Sequence, residues 1–152
     1  MLLNNNTQIK VVKLKENAAL PTRGSNQAAG YDLYACLDGD SLTISPQQTV
    51  LVGTGLAVAI PDGFFGAIFA RSGLASKKGL RPANCVGVCD SDYRGEYIVA
   101  LYNDSDIART VSYGDRIAQL VLMPYYEMIF TEETLSDTDR GAGGFGSTGS
   151  KN

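Results

Sequence analysis

The side chains best suited to moving a proton are Asp90, Asp92 and Tyr93, which stand close together in the second half of the chain. A carboxylate serves as a general base when its position beside the reacting group is fixed. Apolar, β-prone residues flank these three at positions 85–88 and 97–102. This pattern predicts a hairpin of two strands with the carboxylates at its bend. The alternative is an ordinary turn, in which Asp and Gly serve the backbone geometry alone.

The absence of histidine narrows the chemistry, because none of the 152 residues is His. Ser-His-Asp and Cys-His catalysis, HExxH metalloproteases and the zinc deaminase signature are excluded. Cys36, Cys85 and Cys89 come without a secretion signal and are expected to be free thiols. Cys85 and Cys89 are expected on one face of a strand, without the four-ligand pattern of a zinc site. We therefore expect a carboxylate as the general base.

Arg71, Ser72 and Gly73 predict a phosphate-binding turn at the start of a short helix. Ser72 can cap this helix and Gly79 can end it. The free N–H groups of a helix N-terminus, together with the guanidinium of Arg71, favour an anion. The alternative is a helix capped only for stability beside a solvated arginine. Gln119, at the head of a later strand, is a further candidate for phosphate binding.

The last thirteen residues, 140–152, are rich in glycine, which loses the most backbone entropy on folding. They are expected to form a flexible arm. Residues 141–146 spell GxGxxG, but no strand precedes them and no helix follows, so a dinucleotide-binding fold is not indicated. The P-loop pattern fails as well, because Ser150 and Lys151 stand in the wrong order. An aromatic residue, Phe145, is unusual for a simple linker.

The elements that must position these residues are short and β-prone, and almost no helical periodicity is present. The chain is therefore expected to be all-β with one short helix. In one expected strand Asp32 lies opposite the apolar face and is a candidate ligand or an ordinary polar residue at a strand end. Pro124 is expected to interrupt or bulge the last strand. The expected strands span 8–14, 30–35, several segments within 42–60, 64–69 and 114–123.

The composition of the chain limits its class and its possible partners. With 152 residues, 44% hydrophobic and 19% charged, one soluble globular domain is expected. A net charge of −3 gives no basic footprint, so nucleic acid is not an expected partner. No apolar run has the length of a signal peptide or a membrane span, so we expect a cytoplasmic protein without a membrane partner.

Five motifs now stand in order along the chain: AGYDLYA at 29–35, RSGLA at 71–75, GVCDSDYRGE at 87–96, GDRIAQL at 114–120 and RGAGGFGSTG at 140–149. With these motifs the chain resembles the trimeric dUTPase family, the deoxyuridine triphosphate nucleotidohydrolases. Many members have Ser in place of Gly73, a change that keeps the backbone donor. Cys85 and Cys89 stand where aliphatic residues are usual, which affects packing rather than chemistry.

The resemblance implies a jelly-roll-like β barrel at residues 1–139 and a mobile C-terminal arm at 140–152. It also implies a homotrimer whose active sites are shared between subunits and closed by the arm. The implied reaction is attack of water on the α-phosphorus of dUTP, which gives dUMP and pyrophosphate, limits uracil in DNA and supplies dUMP for dTMP synthesis.

The resemblance also implies a role for each candidate residue. Asp90 would be the catalytic base, and Tyr93 would pack under the sugar and exclude a ribose 2′-OH. Mg²⁺ would be held mainly by the substrate phosphates, with Asp32 reaching it through water. The remaining substrate-binding residues would be Asn84, Gly87 and Val88 for uracil, Phe145 stacking on the base, and Arg71, Ser72, Gly73, Gln119, Arg140, Gly146, Ser147 and Thr148 for the phosphates.

Two other readings stay open at this point. The dCTP deaminase family shares the jelly-roll fold, but Asp90, Tyr93 and the FGSTG arm match the hydrolase pattern better. A protein-interaction module or nucleotide sensor without activity is the other alternative. The presence of Asp90, Arg71, Gln119 and Arg140 together favours the enzyme.

Overall fold

A computed structural model of the chain describes residues 7–144. The expected all-β architecture is confirmed, since this part of the chain holds twelve strands and one short helix. The strands are β1 (Lys10–Lys13), β2 (Thr22–Arg23), β3 (Tyr31–Tyr34), β4 (Ser41–Ile44), β5 (Thr49–Gly53), β6 (Leu56–Ala59), β7 (Phe64–Phe69), β8 (Leu80–Pro82), β9 (Val86–Cys89), β10 (Ile98–Asn103), β11 (Arg109–Ser112) and β12 (Arg116–Pro124), and the helix is α1 (Ser72–Lys78).

The strands form four sheets in which every pair is antiparallel. The largest has the order β2-β3-β12-β7-β9, and a second has the order β5-β10-β8. The pairs β1-β6 and β4-β11 complete the jelly-roll-like barrel. Most neighbours in these sheets are distant in sequence, so the fold depends on long-range pairing.

The hydrophobic core lies between the sheets and takes residues from most of the strands. Leu33, Ile44, Val52, Leu56 and Leu101 are fully buried and come from five different strands. The sequence neighbours of four of them are more exposed, as the two-residue period of a strand requires, but the neighbours of Leu56 are buried as well. The core therefore fixes the relative positions of the strands whose ends carry the functional residues.

Helix α1 follows β7 directly and occupies the RSGLA motif. Arg71, not Ser72, is the N-cap, with extended backbone angles of φ −85° and ψ 126° and no side-chain cap bond. The expectation that Ser72 caps the helix is therefore wrong. Gly79 ends the helix as expected, because its φ of 66° suits glycine and its N–H bonds to the last-turn carbonyls. The positive charges of Lys77 and Lys78 in the last turn also interact favourably with the helix dipole.

The predicted hairpin around Asp90 is not formed. Strand β9 pairs with β7, whereas β10 pairs with β5 and β8 in another sheet. Apolar alternation indicates which face of a strand is buried, but it does not identify the strand with which it pairs. Residues 90–97 therefore form a loop that crosses from one sheet to another.

The two neighbouring cysteines do not share a strand face. Strand β9 begins at Val86, so Cys85 lies before it, exposed and with a φ of 40°. Cys89 is the last residue of β9 and is half-buried. Cys36 is buried, and all three cysteines are free thiols.

Within residues 7–144, the last regular element ends at Pro124, the final residue of β12. Residues 125–144 form neither helix nor strand. Four apolar side chains in this segment, Tyr126, Ile129, Phe130 and Leu135, are between 84% and 90% exposed. Residues 125–139 therefore contribute little to the core of the domain in which they were expected. Helix α1 is too short to span a bilayer, and residues 7–144 contain no helix that could do so.

Candidate active site

A row of residues across the largest sheet links two of the motifs. Asp32 on β3 pairs with Gln119 on β12, which pairs with Phe69 on β7, which in turn pairs with Val86 on β9. Adjacent strands lie about 4.8 Å apart, so the backbones of Gln119 and Val86 are separated by roughly 10 Å. The sheet thus holds the AGYDLYA and GDRIAQL motifs and the start of the Asp90 strand in fixed relation.

One open cavity of about 440 Å³ collects the candidate phosphate residues. We call it the arginine cleft. It is lined by Asp32, Arg71, Ser72, Gly73, Arg116 and Gln119, together with residues of the segment 24–30 and Val121. Four of the residues expected at the phosphates therefore lie together, with Asp32 beside them.

Asp32 holds two arginines of the arginine cleft. Its Oδ1 accepts a hydrogen bond from Arg71 Nε at 2.7 Å, and its Oδ2 accepts one from Arg116 Nη1 at 3.3 Å. Arg71 Nη1 also donates to the Arg116 carbonyl at 3.3 Å. Only 13% of the Asp32 side chain is exposed. The three charges leave the group with a net charge of +1, which suits a polyanionic ligand.

Arg116 is a functional candidate that the sequence reasoning did not single out. It stands three residues before Gln119 on β12, and strict alternation would place the two side chains on opposite faces. The pairing register of β12 with β3 shifts between Arg116 and Ala118. This bulge changes the alternation, so that both Arg116 and Gln119 line the arginine cleft.

Gln119 is held in place from two sides. Its Nε2 donates to the Ala70 carbonyl at 2.8 Å. Its Oε1 lies against Gly30, where a Cβ would approach the oxygen to 2.5 Å. The glycine in the AGYDLYA motif therefore makes room for the Gln119 amide, and a side chain at position 30 would displace it.

A second cavity of about 240 Å³ contains Asp90. We call it the Asp90 cleft. Its wall includes the expected uracil and sugar residues, and it has no lining residue in common with the arginine cleft. The lining consists of Ile68, Asn84, Gly87, Val88, Cys89, Asp90, Tyr93, Glu96, Tyr97 and Ile98.

Gly87 lets the Asn84 amide come close to the backbone of β9. A Cβ at position 87 would lie 3.2 Å from the Cβ of Ile68 and 3.4 Å from Asn84 Nδ2. The Asn84 amide and the backbone of Gly87 and Val88 thus stand together on one wall of the Asp90 cleft. Amide and backbone groups in this arrangement can read the hydrogen-bonding edge of a flat heterocycle.

Asp90 stands just past the end of β9 with an exposed side chain. The Tyr93 N–H donates to the Asp90 carbonyl at 3.2 Å and closes a tight turn. Arg94 Nη1 donates to the carbonyls of Ser91 at 2.7 Å and Tyr93 at 2.9 Å. These bonds fix the backbone that carries Asp90. Residues 7–144 leave the Asp90 side chain exposed, so the desolvation expected for a base would have to come from groups other than these.

Tyr97 and Cys89 form the apolar side of the same cleft. Tyr97 is 1% exposed, and its hydroxyl has no hydrogen-bond partner within residues 7–144. Burial, followed by the adjacent Cys89 thiol, raises the pKa of this phenol well above its ordinary value. Burial also raises the pKa of the Cys89 thiol. Both groups therefore stay neutral near pH 7 beside Asp90.

A metal ion held by protein ligands alone does not fit the described residues. Among residues 7–144 no three side chains of His, Cys, Asp or Glu come together as a possible metal site. Both oxygens of Asp32 already accept bonds from arginines. Asp32 could still reach a metal through water, since each carboxylate oxygen has a second lone pair.

Of the candidate residues in the arm, Arg140 is the one among the described residues, and it lies in an exposed turn. Its Nε donates to the Gly143 carbonyl at 2.8 Å, and it lines neither the arginine cleft nor the Asp90 cleft. Phe145, Gly146, Ser147 and Thr148 lie outside the described residues. The candidate residues thus fall into three separate places: the arginine cleft, the Asp90 cleft and the C-terminal segment.

Comparison with known families decides the affiliation of the chain. The model of the dUTPase family matches residues 16–149. The chain belongs to the dUTPase family. Two proteins named deoxyuridine 5'-triphosphate nucleotidohydrolase are similar over nearly their whole length. That of Desulfitobacterium hafniense is 48% identical over 149 residues, covering 95% of this chain and 98% of the relative. That of Desulfotalea psychrophila is 50% identical over 135 residues, covering 88% and 89%.

Solved dUTPases share the fold of this family member. A mutant dUTPase of Staphylococcus bacteriophage 80alpha, solved with dUpNHpp, gives a TM-score of 0.82 at 29% identity and covers 95% of this chain and 99% of that one. A mutant dUTPase of phage phi11 of S. aureus gives 0.76 at 25% identity, covering 87% and 100%. The second structure is described as revealing the coordination of a structural Mg(II) ion.

Proposed function

We propose that the chain is a dUTP diphosphatase that hydrolyses dUTP to dUMP and pyrophosphate. The observation that carries this proposal is the Asp90 cleft, which brings a carboxylate together with Asn84, Gly87, Val88 and Tyr93. The arginine cleft adds a cationic site for the phosphates. Membership of the dUTPase family and the names of its relatives support the same reaction. In a cell this activity limits uracil in DNA and supplies dUMP for dTMP synthesis.

Asp90 is the general base in this mechanism. Its carboxylate takes a proton from a water molecule whose oxygen attacks the α-phosphorus. The bond from the α-phosphorus to the bridging oxygen breaks, and pyrophosphate leaves with the electron pair. The fixed turn at Asp90 and the absence of histidine support this assignment.

The Asp90 cleft selects the nucleoside. The Asn84 amide and the backbone of Gly87 and Val88 bind the edge of uracil. Their close fit to that edge leaves no room for a 5-methyl group. Tyr93 lies under the deoxyribose, where its ring occupies the place of a 2′-OH. Phe145 of the arm stacks on the base, a contact worth about 1–3 kcal/mol by analogy with single-strand binders.

The arginine cleft binds the triphosphate. Arg71, Gln119 and the N–H groups of Ser72 and Gly73 donate to phosphate oxygens. Arg116 adds a second guanidinium, held beside Arg71 by the shared bonds to Asp32. At the far end of the phosphate chain the donors are Arg140, Gly146, Ser147 and Thr148.

Mg²⁺ would be held mainly by the hard oxygen ligands of the triphosphate, and Asp32 would reach it through water. The bound ion would neutralise phosphate charge. The lack of a three-ligand group among residues 7–144 supports a substrate-held ion.

The active enzyme is a homotrimer with shared active sites. The arginine cleft and the Asp90 cleft have no lining residue in common, so one nucleotide can bridge clefts from two subunits. The exposed apolar side chains of Tyr126, Ile129 and Phe130 offer contact surface to a neighbouring subunit. In this arrangement residues 1–139 form the domain and residues 140–152 form the arm that closes the site.

A panel of nucleoside triphosphates tests the activity directly. We expect pyrophosphate release from dUTP and little from dTTP, dCTP or UTP. Release of ammonia from dCTP would instead favour a dCTP deaminase, and binding of dUTP without turnover would favour a nucleotide sensor. The net charge of −3 supports a small-molecule substrate over nucleic acid, and the three free thiols support a cytoplasmic location.

A further inference from the structure

The ring of Tyr93 lies directly over the backbone of Gly95. A Cβ placed on Gly95 would stand 2.3 Å from the Tyr93 hydroxyl oxygen, 2.6 Å from its Cζ and 2.9 Å from its Cε2. Heavy atoms in favourable contact are about 3.5–4.0 Å apart. Any side chain at position 95 would therefore occupy the space that the Tyr93 ring fills.

The backbone conformation does not itself require glycine at this position. Gly95 is not among the residues with positive φ, which include Gly55, Gly63, Gly79, Gly114 and Gly141. An alanine at position 95 would therefore meet no conformational penalty of the left-handed kind. The close approach of the Tyr93 ring is the physical reason for a glycine here.

The other neighbours of the ring restrict where it can move. The Tyr93 ring stacks on buried Tyr97, with the ring centroids 6.2 Å apart and an angle of 29° between the planes. The Tyr93 hydroxyl donates to the Glu96 carbonyl at 3.1 Å. Since Tyr97 is fixed in the core, a ring displaced from Gly95 must swing outward, toward solvent.

The segment after Gly95 is itself anchored to the bend between β5 and β6. Glu96 Oε1 accepts a bond from the Gly55 N–H at 2.7 Å. The Tyr97 carbonyl accepts bonds from Thr54 N at 3.1 Å and from Thr54 Oγ1 at 2.7 Å. The residues that directly follow Gly95 are thus fixed to the bend between β5 and β6, so we expect a new side chain at position 95 to displace the Tyr93 ring rather than this backbone.

We propose that Gly95 determines sugar specificity, because its missing side chain leaves the space that seats the Tyr93 ring against the 2′ position of the nucleotide. This inference rests on the proposed function, in which Tyr93 excludes a ribose 2′-OH. Gly95 does not line the Asp90 cleft and acts through Tyr93, which does.

The test compares the kcat/KM of UTP with that of dUTP in four variants. Gly95→Ala should raise the ratio of UTP to dUTP about tenfold, less than the shift of order 10²-fold expected for Tyr93→Ala. In the Tyr93→Ala/Gly95→Ala double variant the second change should add nothing, because the ring that it displaces is gone. Gly39→Ala is the matched control, since a Cβ there would meet no heavy atom within 4 Å.

The outcomes separate the inference from the function on which it rests. Suppose that Tyr93→Ala shifts the ratio, whereas Gly95→Ala lowers the kcat/KM of UTP and that of dUTP by the same factor. Gly95 then has only a structural role, and the inference is wrong. If Tyr93→Ala leaves the ratio unchanged, the sugar role of Tyr93 fails, and the inference fails with it. Circular dichroism melting of each variant shows that the compared proteins are folded.

Discussion

At the scale of single residues, Asp90 and Asp92 offer a direct contrast. Both carboxylates are exposed and lie on the same loop, but only Asp90 lines the Asp90 cleft. A base must reach the attacking water, whereas a carboxylate that serves only solubility or turn geometry need not. The two residues therefore form a matched pair for mutation.

Asp90→Asn keeps the shape of the side chain and removes its basicity. We expect kcat for dUTP to fall roughly 10²–10⁴-fold while dUTP still binds. Asp92→Asn should leave kcat within about threefold of the wild type, because Asp92 does not line the cleft. Steady-state pyrophosphate release and calorimetric titration with dUTP measure the two effects. Near-normal turnover in Asp90→Asn would exclude Asp90 as the base.

The buried hydroxyl of Tyr97 makes the stability of the folded state depend on pH in the alkaline range. Its pKa is raised above the ordinary value of 10.0, so the neutral phenol stabilises the folded state fully below pH 10. As pH rises through the raised pKa this stabilisation is lost, at up to about 1.4 kcal/mol per pH unit above 10.

Tyr97→Phe should remove the part of the loss of folding stability at alkaline pH that comes from ionisation of the Tyr97 phenol. At pH 8 the variant should be as stable as the wild type or more stable, because the hydroxyl is buried without a partner. Between pH 10 and pH 11 the difference should grow in favour of the variant. Urea unfolding at each pH gives the two free energies, and parallel curves for the two proteins would contradict the expected role of Tyr97.

At the scale of elements, the C-terminal segment is the one whose removal separates stability from activity. Residues 140–144 are in an exposed turn or half-exposed, and Arg140 bonds only within its own turn among the described residues. Deleting residues 140–152 should shift the melting temperature by no more than a few degrees, and it should lower kcat on the order of 10²-fold by removing phosphate donors. A truncated protein with full kcat would refute the closing role of the arm.

The elements also show what the sequence could and could not predict. The five motifs identified the family and contain most of the candidate residues that line the two clefts, because each motif is contiguous in the chain. The partners of β9 and β10 could not be read from it, because strand pairing depends on distant segments such as β7 and β5. Arg116 was not singled out from the sequence, and it lines the arginine cleft together with Gln119 because of a bulge in β12 that leaves no sequence signal.

The same limit applies to Asp32 and Gly95. The sequence placed Asp32 on a polar face of a strand but could not show that Arg71 and Arg116, 39 and 84 residues away, would share its carboxylate. Gly95 stands in a recognisable motif, yet the reason for a glycine there is a ring two residues away in an irregular loop. Close approaches of this kind follow from tertiary geometry and leave no periodic signal.

At the scale of the whole molecule, the arginine cleft and the Asp90 cleft share no lining residue. An enzyme acting on a nucleoside triphosphate must hold the base and the phosphates of one ligand at once. The Asp90 cleft and the arginine cleft have different walls, and the C-terminal segment leaves the core after β12. The proposed homotrimer, in which the Asp90 cleft of one subunit and the arginine cleft of another hold the same ligand, would meet this requirement.

Mixed trimers of two inactive variants test the shared site. Asp90→Asn destroys one cleft and Arg71→Ala the other, so each variant alone should be nearly inactive. When both variants are co-expressed at equal levels, the subunit that supplies the Asp90 cleft has an intact Asp90 in about half of the sites. The subunit that supplies the arginine cleft has an intact Arg71 in about half of them, so about one site in four is intact. We therefore expect about a quarter of the wild-type activity, measured as pyrophosphate release per trimer, with trimers verified by light scattering.

The reciprocal mixture makes the result decisive. Wild type co-expressed with the Arg71→Ala/Asp90→Asn double variant should also retain about a quarter of its activity if sites are shared, but about a half if each chain carries a complete site. In that second case the mixture of single variants would show no recovery at all, because neither chain has both clefts intact. Activity from the single-variant mixture together with the lower value for the reciprocal mixture therefore requires that Asp90 and Arg71 of one site belong to different subunits.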